Sequence, residues 1–345
     1  MADFNGDGRP DIALAMHLLG VSVLLNEGGG RFRDGSAGMD PLGVETAFSS
    51  RAITTGDWDR DGRPDLFVLG EGPRLRLQGG GPLQSSDGVA LYHNRPDGTW
   101  EKKLTADTTQ FGDAIATVRL ENGRAGLVAG SNNRGTANIL LTMGTQPWAA
   151  TRALEGLRPQ MLVRAVAVAD IDRDGADDVV LGYSAFELGQ WRSGIDLMFQ
   201  RPLKRWERRP LFAEEGSHGV TALATGQLTG DSLPDIAALT GDGRAMVFVA
   251  SARGRFTRDD TTLMPATDAC RGYDVEIADL DGDGIGDIVA GFAGEPEGFA
   301  GAVSPGCPGE GSLRAWRVRP IGPPPQATPK PTPAKRRAPG KTPGH

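Results

Sequence analysis

The chain has 345 residues, of which 50 are glycine and 24 are proline, and its formal net charge is −7. No stretch approaches the roughly 18 uninterrupted apolar residues of a membrane-spanning helix, and the first residues do not have the pattern of a signal peptide. The last 24 residues carry five basic side chains and no acid, so the remainder has a charge near −12. Such an acidic body argues against a nucleic-acid-binding protein.

The first predicted element is an acidic turn, "DFNGDGRPDIAL", which begins at Asp3. The pattern D-x-[DN]-x-D-G-x-x-D, followed by apolar residues, returns in "DWDRDGRPDLFV" from Asp57, "DIDRDGADDVVL" from Asp170 and "DLDGDGIGDIVA" from Asp279. Two weaker copies begin at Val118 ("VRLENGRAGLVAG") and Gln227 ("QLTGDSLPDIAAL"). The six starts are about 52 to 61 residues apart, so the chain consists of six repeat units.

Each unit predicts four short strands around its turn. One strand leads into the turn and a second leaves it, as in "VRAVAVAD" and "DIVAGF". A third follows a variable loop, as in "VALYHN", and a fourth often opens on an aromatic residue. These aromatic residues are predicted to pack between repeats, with stacking on sugars as the alternative; they are Phe32, Trp100, Trp148, Trp206 and Phe256.

Four antiparallel strands in every unit are typical of a β-propeller blade. The predicted fold class is therefore an all-β propeller over residues 1–321, six- or seven-bladed when complete. A β-solenoid and a string of small sandwiches are the alternatives. Solenoid repeats are usually shorter, and a sandwich of about 55 residues would have a thin core.

The acidic turns suit a hard cation such as Ca²⁺, which takes six to eight oxygen ligands. We number each turn from its first aspartate, so that positions 1, 3, 5 and 9 supply side-chain oxygens and position 7 offers its carbonyl. Glycine at position 6 permits the sharp bend. The predicted metal ligands are Asp3, Asn5, Asp7 and Asp11; Asp57, Asp59, Asp61 and Asp65; Asp170, Asp172, Asp174 and Asp178; and Asp279, Asp281, Asp283 and Asp287.

About four Ca²⁺ ions are therefore predicted as a structural cofactor, with affinities of about 10⁻⁴–10⁻³ M, the range of extracellular modules. An EF-hand begins similarly but places a glutamate at position 12 between two helices, whereas here strands flank the loop. The alternative is a solvated Asp/Gly turn. The turns from Val118 and Gln227 lack most of the oxygens and are not predicted to bind metal.

These units resemble FG-GAP/VCBS repeats, the family that builds the propeller head of integrin α-subunits and of many bacterial surface proteins. The resemblance covers roughly residues 1 to 320, and four of the six turns match the motif fully. It implies a calcium-stabilised propeller that acts in binding or adhesion outside the cell.

The two ends of the chain carry separate expectations. Only Met1 and Ala2 precede the first turn, so we expect Met1 not to be the natural start. An upstream segment would then hold the missing innermost strand, a possible seventh blade and a secretion signal. The Pro-rich basic tail, 322–345, is predicted to be disordered or polyproline-like, either as a simple tail or as a contact to an anionic surface.

The two cysteines lie in the last unit. Cys270 precedes its first predicted strand and Cys307 its third, so both belong to the same end of an antiparallel meander. A disulfide is expected and would fit an exported protein, with two free thiols as the alternative.

No catalytic set is evident. The four histidines, His17, His93, His218 and His345, show no zinc-like spacing, and neither a G-x-S-x-G elbow nor a phosphate loop occurs. The basic segment "RPLKRWERRPLF" from Arg201 reads as a solvated outer strand, with polyanion binding as the alternative.

The predicted function is a non-catalytic binding or adhesion module on the cell surface or outside the cell. Its partner would be an extracellular protein or carbohydrate, not nucleic acid, and the chain would be monomeric. The alternative is a propeller domain of, or accessory to, a polysaccharide-degrading enzyme. Polar residues on the loops 71–88 and 294–310, such as Glu295 and Glu297, would favour that alternative.

Overall fold

The computed structural model shows a protein built from short β-strands. The described residues are 1–17, 19–43, 48–72, 88–104, 111–120, 125–130, 139–142, 150–153, 161–202, 205–216, 218–261, 270–293, 307 and 311–318. They form 22 strands and no α-helix, which confirms the all-β class. Within these ranges no helix is long and apolar enough to cross a membrane. The predicted tail and the loop residues Glu295 and Glu297 lie outside the described residues.

The first eleven strands form three antiparallel sheets that follow one another in the chain. Sheet 1 contains β1 (Ile12–Met16), β2 (Gly20–Gly28) and β3 (Arg31–Asp34). Sheet 2 contains β4 (Ser50–Gly56), β5 (Asp65–Gly70), β6 (Val89–Asn94) and β7 (Trp100–Leu104). Sheet 3 contains β8 (Ala114–Arg119), β9 (Ala125–Gly130), β10 (Ile139–Thr142) and β11 (Ala150–Ala153).

The second half of the chain repeats this arrangement. Sheet 4 contains β12 (Met161–Ala169), β13 (Asp178–Glu187), β14 (Gln190–Arg201) and β15 (Arg205–Glu215). Sheet 5 contains β16 (Val220–Gly226), β17 (Asp235–Thr240), β18 (Ala245–Ala252) and β19 (Arg255–Asp259). Sheet 6 contains β20 (Arg271–Ala278), β21 (Asp287–Ala293) and β22 (Ser312–Trp316).

Every sheet is a simple meander, because strands that are neighbours in the sheet are also neighbours in the chain. In sheet 4 the register pairs Ala169 at the end of β12 with Asp178 at the start of β13. The acidic turn therefore closes the hairpin between the first and second strands, as the sequence predicts. The third strand of sheet 2, Val89–Asn94, matches the predicted segment "VALYHN".

The hydrophobic core consists of five buried clusters, and each lies between two consecutive sheets. In one of them, Val128 of sheet 3 packs with Val163 and Leu181 of sheet 4. Small antiparallel sheets that pack face to face in chain order are the blades of a β-propeller. The predicted fold is therefore confirmed, with six sheets in the described part of the chain.

The first and last sheets differ from the four inner ones. Where the other sheets have their first strand, sheet 1 has only Ala2, which forms a single bridge to Asp11. Leu14 in sheet 1 is 40% exposed and Leu313 in sheet 6 is 77% exposed, and neither belongs to the five clusters. The described core thus runs from the inner side of sheet 1 to the inner side of sheet 6.

A disulfide joins Cys270 to Cys307, with their Cα atoms 4.6 Å apart. Cys270 directly precedes β20 and is buried in the cluster between sheets 5 and 6. The bond therefore ties the start of sheet 6 to the segment before its third described strand. Of the two possibilities left open by the sequence, the structure has the disulfide.

Most of the repeated aromatic residues pack between sheets. Trp100 opens β7 and meets Phe4 edge-on, with ring centroids 5.5 Å apart, in the cluster between sheets 1 and 2. Trp206 packs on the cluster between sheets 3 and 4, and Phe256 on the one between sheets 4 and 5. Packing explains these three positions without a sugar ligand.

Phe32 does not follow this pattern. Its side chain is 42% exposed, because β3 is a four-residue outer strand whose residues all face solvent. Trp148 lies outside the described residues.

Candidate metal centres in the acidic turns

The four full turns share one backbone arrangement, built around the aspartate at position 1. In the fourth turn, Asp170 accepts the N–H of Asp174 through Oδ1 and that of Gly175 through Oδ2, both at 3.0 Å. The equivalent pairs of hydrogen bonds recur in the other full turns, to Asp3, Asp57 and Asp279. The carboxylate at position 1 thus closes the loop by accepting the backbone N–H groups of positions 5 and 6.

Position 6 requires a left-handed backbone, as the sequence predicts from its glycine. Gly175 has φ of 93° and Gly62 has φ of 87°. In the fifth turn the residue at this position is Ser232, which adopts φ of 70°. The fifth turn therefore keeps the bend even though it has lost the glycine.

The aspartate at position 9 is an anchor between three strands. In the fourth turn, Asp178 accepts the N–H of Ile171 at 3.0 Å through Oδ2 and that of Gln200, in the third strand, at 2.8 Å through Oδ1. The same two contacts occur at four other buried carboxylates, those of Asp11, Asp65, Asp235 and Asp287. Because a carboxylate has about four lone-pair sites, this role leaves lone pairs for a cation.

Burial changes the acidity of three of the anchors. Burial raises the pKa of Asp65 to about 6 and that of Asp178 to about 7, against the opposing effect of the backbone N–H groups. Burial also raises the pKa of Asp235. A nearby cation would stabilise the ionised form of such a buried carboxylate, because its charge offsets the cost of removing the carboxylate from water.

Three of the four full turns bring predicted ligands together, with candidate ligand atoms within 4.8 Å of one another. The groups are Asp57, Asp59 and Asp65; Asp170, Asp172 and Asp178; and Asp279, Asp281 and Asp283. In the first turn, Asn5 Nδ2 donates to Asp7 Oδ2 at 2.9 Å, so its amide and carboxylate also lie side by side. This donor set of clustered oxygens fits a hard divalent cation.

Each full turn is also in contact with an arginine side chain, and the sequence reasoning missed these contacts. Arg201 Nη1 lies 2.6 Å from Asp172 Oδ2 in the fourth turn, and Arg317 Nε lies 3.1 Å from Asp281 Oδ2 in the sixth. In the first two turns the residue at position 7 returns to position 5, as Arg9 to Asp7 and Arg63 to Asp61. These guanidinium groups offset part of the repulsion among the carboxylates and compete with a cation.

The two weak turns are held by other groups. In the fifth turn, Gln227 Oε1 replaces the first carboxylate and accepts the N–H groups of Thr229 and Gly230, both at 2.8 Å. The turn after Val118 falls on residues 121–124, outside the described residues. Among the described residues, the fifth turn has no group of three clustered metal-ligating side chains.

Two basic residues of strand β15 form ion pairs within the molecule. Arg208 Nε lies 2.6 Å from the buried Asp196 Oδ2, and Arg209 pairs with Glu207 at 3.0 Å. Alternate residues of β15 face solvent, as predicted for an outer strand. These contacts favour the solvated outer strand over a polyanion site.

Two of the histidines lie close to carboxylates outside the acidic turns. His17 Nδ1 lies 2.6 Å from Glu71 Oε2, and His218 Nε2 lies 3.9 Å from Asp242 Oδ2. His345 is outside the described residues. His93 is different, because it lies beside the carboxylates of the second turn, and no spacing in the sequence points to that contact.

The fold and its turns define a β-propeller with EF-hand-like acidic loops. Residues 3–68 and 227–290 match the FG-GAP-like repeat family. These two matched regions contain the first, second, fifth and sixth turns. The fourth turn lies outside the matched regions although its hydrogen bonds are the same.

Several solved propellers are similar in outline. A fungal lectin from Aleuria aurantia, described as six-bladed with fucose recognition, aligns with a TM-score of 0.48 and 11% identity over 90% of this chain and 92% of its own. A GH43 β-1,3-galactosidase aligns with a TM-score of 0.42 and 11% identity over 75% of this chain and 90% of its own. A Trypanosoma rangeli sialidase aligns with a TM-score of 0.41 and 12% identity over 83% of this chain and 49% of its own. Since these TM-scores lie below 0.5, the fold assignment rests on the sheets and clusters themselves.

Among curated proteins, no significant match to the sequence is found.

Proposed function

We propose that this protein is a calcium-stabilised β-propeller that acts as a non-catalytic binding or adhesion module for an extracellular protein or glycan. The observation that carries the proposal is the repeated convergence of carboxylates in the acidic turns, where candidate ligand atoms lie within 4.8 Å of one another. Oxygen-rich loops of this kind bind Ca²⁺ well, because this cation takes carboxylate and carbonyl oxygens as ligands.

Calcium would act on the blades through the anchors. Asp65 and Asp178 each belong to a candidate ligand group and also accept a backbone N–H from the third strand of the same sheet. An ion at the turn would therefore hold the first three strands of a blade together. The stabilisation follows mass action, and at tenfold excess over Kd it is about 1.4 kcal/mol per ion.

One structural feature supports a compartment outside the cytosol, where calcium sites with a Kd of about 10⁻⁴–10⁻³ M would be filled. The disulfide between Cys270 and Cys307 is the kind of bond that persists in oxidising environments.

A binding role is favoured over catalysis because the acidic residues already have structural partners. The position-9 aspartates hold backbone N–H groups, and other turn carboxylates pair with arginines. None of these arrangements places a free general acid opposite a free base in the described ranges. A rigid propeller instead presents its loops as a recognition surface.

The first experiment measures calcium binding and thermal unfolding of the full chain. Isothermal titration should give about four ions in zinc-free buffer, and millimolar Ca²⁺ should raise Tm relative to a chelator. A folded chain that binds no Ca²⁺ and shows no shift would contradict the calcium part of the proposal.

The second experiment addresses the partner. The full chain is applied to glycan and extracellular-protein arrays in Ca²⁺ and in chelator, alongside a turnover screen on polysaccharides. Calcium-dependent binding without turnover supports the proposal, whereas turnover would establish the enzymatic alternative. Light scattering of the same sample tests the expected monomer.

A further inference from the structure

His93 distinguishes the second acidic turn from the others. It lies in β6, one residue before Asn94, whose N–H binds the anchor Asp65 at 2.8 Å. The residues that directly precede the anchored N–H in the other sheets are Leu25, Phe199, Val249 and Arg317. Only the second of these anchored turns therefore has an imidazole at this position.

The imidazole lies among the turn's carboxylates. His93 Nε2 is 2.9 Å from Asp59 Oδ2, and ligand atoms of His93, Asp59 and Asp61 all lie within 4.8 Å of one another. Beside its all-oxygen group of Asp57, Asp59 and Asp65, the turn thus offers one nitrogen and two carboxylates at a second centre, whereas the groups of the fourth and sixth turns contain oxygens alone.

Both ring nitrogens of His93 are buried and lack a hydrogen-bond partner in the described part of the chain. Nε2 is close to Asp59, but the pair does not have hydrogen-bond geometry. The His93 side chain is only 14% exposed. Buried polar atoms without partners are rare in folded proteins, and a metal ion between the ring and the carboxylates would satisfy Nε2.

The surrounding side chains hold the ring in place. Trp58 packs edge-on against His93 with centroids 5.6 Å apart, and Lys103 Nζ lies 4.7 Å from the centroid of the Trp58 ring. On the other side, Glu101 Oε2 is 3.9 Å from His93 Nδ1. At this distance Glu101 makes no hydrogen bond to the ring, and it would have to move closer to fix the tautomer as a carboxylate does for a metal-bound histidine.

These ligands do not match the preference of Ca²⁺, which takes oxygen atoms. Imidazole with carboxylates suits first-row transition metals such as Zn²⁺. We propose that the second turn binds a first-row divalent cation of the Zn²⁺ class through His93, Asp59 and Asp61, in preference to Ca²⁺. The inference rests on the proposed function only in that it takes the acidic turn to be a cation site.

The competing explanation is an ion pair between protonated His93 and Asp59, with no metal. If His93 is a metal ligand, the affinity for Zn²⁺ depends on it; if His93 only pairs with Asp59, the affinity does not. Measuring zinc affinity therefore distinguishes the two explanations. The probe is Zn²⁺ itself, titrated calorimetrically into the full chain in buffer that contains millimolar Ca²⁺.

The variants are chosen to leave the blade intact. His93→Leu introduces the residue type of Leu25 at the equivalent position in sheet 1. Asp61→Asn removes a second ligand and keeps the size of the side chain. The matched control is His17→Leu, which removes a histidine paired with Glu71 outside these groups.

The wild type should bind one Zn²⁺ at this turn and then bind one Ca²⁺ fewer. His93→Leu and Asp61→Asn should each weaken zinc binding by about tenfold or more, whereas His17→Leu should leave it unchanged. X-ray absorption of the zinc-loaded wild type should show one imidazole, and that of Asp61→Asn should keep it.

No zinc binding, or equal binding by the wild type and by folded His93→Leu, would overturn the inference. Four bound Ca²⁺ ions without zinc selectivity would leave the proposed function standing. Zinc binding through His93 in a chain that binds no Ca²⁺ would support this inference and contradict the calcium part of the proposed function.

Discussion

Asp235 accepts the backbone N–H of Ala250 at 2.8 Å, although it belongs to a turn that has lost most of its metal-ligand pattern. Its other oxygen accepts the N–H of Leu228 at 2.8 Å, and its side chain is fully buried. The aspartate at position 9 thus has a role in the fold that does not depend on metal. This role explains why the fifth turn still closes its hairpin.

We therefore predict that Asp235→Ala destabilises the protein by about 3 kcal/mol, because two buried N–H groups lose their acceptor. Urea denaturation monitored by fluorescence measures the loss. Asp231→Ala is the control, since Asp231 is an exposed residue of the same turn. Equal effects of the two substitutions would show that Asp235 is not an anchor.

Ser232 gives a second prediction for this turn. It has φ of 70°, where the full turns have glycine. Ser232→Gly should stabilise the protein by roughly 0.5 kcal/mol, because the relief of backbone strain exceeds the added freedom of the unfolded chain. Thermal and urea unfolding provide the measurement.

The control for Ser232 separates strain from side-chain contacts. Arg173 Nη1 donates to Ser232 Oγ at 2.9 Å, so the substitution also removes an exposed hydrogen bond. Ser232→Ala removes the same bond but keeps Cβ in the left-handed region. If the alanine variant gains as much stability as the glycine variant, strain is not the cause.

The sequence predicts what is local in these blades and misses what depends on register. The turn motif and the strands beside it are contiguous, so Asp178 could be placed at the start of a strand from spacing alone. The cysteine pair also followed from its place in the predicted meander.

The contacts between turn and third strand could not be predicted. Asp59 lies before the second strand of its sheet and His93 lies in the third strand. The number of residues between the second and third strands differs from unit to unit, so the sequence does not show which residues face each other. A shift of one residue in register would turn His93 to the other face of the sheet. The arginines at Asp172 and Asp281 were missed for the same reason.

The disulfide leads to a prediction about the last sheet. Cys270 and Cys307 are 37 residues apart, and a cross-link over such a loop stabilises a protein by about 3 to 4 kcal/mol. The double variant Cys270→Ser/Cys307→Ser should lose that amount in urea denaturation. Addition of a reductant should shift the wild type in the same direction and leave the double variant unchanged; a shift of the double variant would contradict the assignment.

Calcium binding at a single turn can be tested through Asp170. Its two oxygens cap the loop, and it belongs to the group with Asp172 and Asp178. Asp170→Asn should bind one Ca²⁺ fewer and should lose about 1 kcal/mol of the calcium-dependent stabilisation. The control is Asp97→Asn, in an exposed hairpin outside the acidic turns, which should keep the wild-type stoichiometry. Unchanged stoichiometry in Asp170→Asn would remove the fourth turn from the calcium sites.

Arg201, the last residue of β14, is expected to compete with that ion for the carboxylates of the fourth turn. Arg201 Nη1 lies 2.6 Å from Asp172 Oδ2 and 3.6 Å from Asp174 Oδ2, so bound Ca²⁺ must displace or share a guanidinium charge. Arg201→Met should therefore tighten calcium binding at this turn by about two- to fivefold, the equivalent of an exposed ion pair. The gain should shrink as salt is added, because salt screens the competing charge.

Arg209→Met is the matched control for Arg201. Both guanidinium groups lie over the ring of Phe199, at 4.8 Å for Arg201 and 4.5 Å for Arg209, but Arg209 pairs with Glu207 and not with the turn. Calorimetric titration of the two variants separates the loss of positive charge near the turn from the loss of packing on Phe199. A similar gain in both variants would show that Arg201 does not compete for the site, and weaker binding in Arg201→Met would show that it helps to hold the loop.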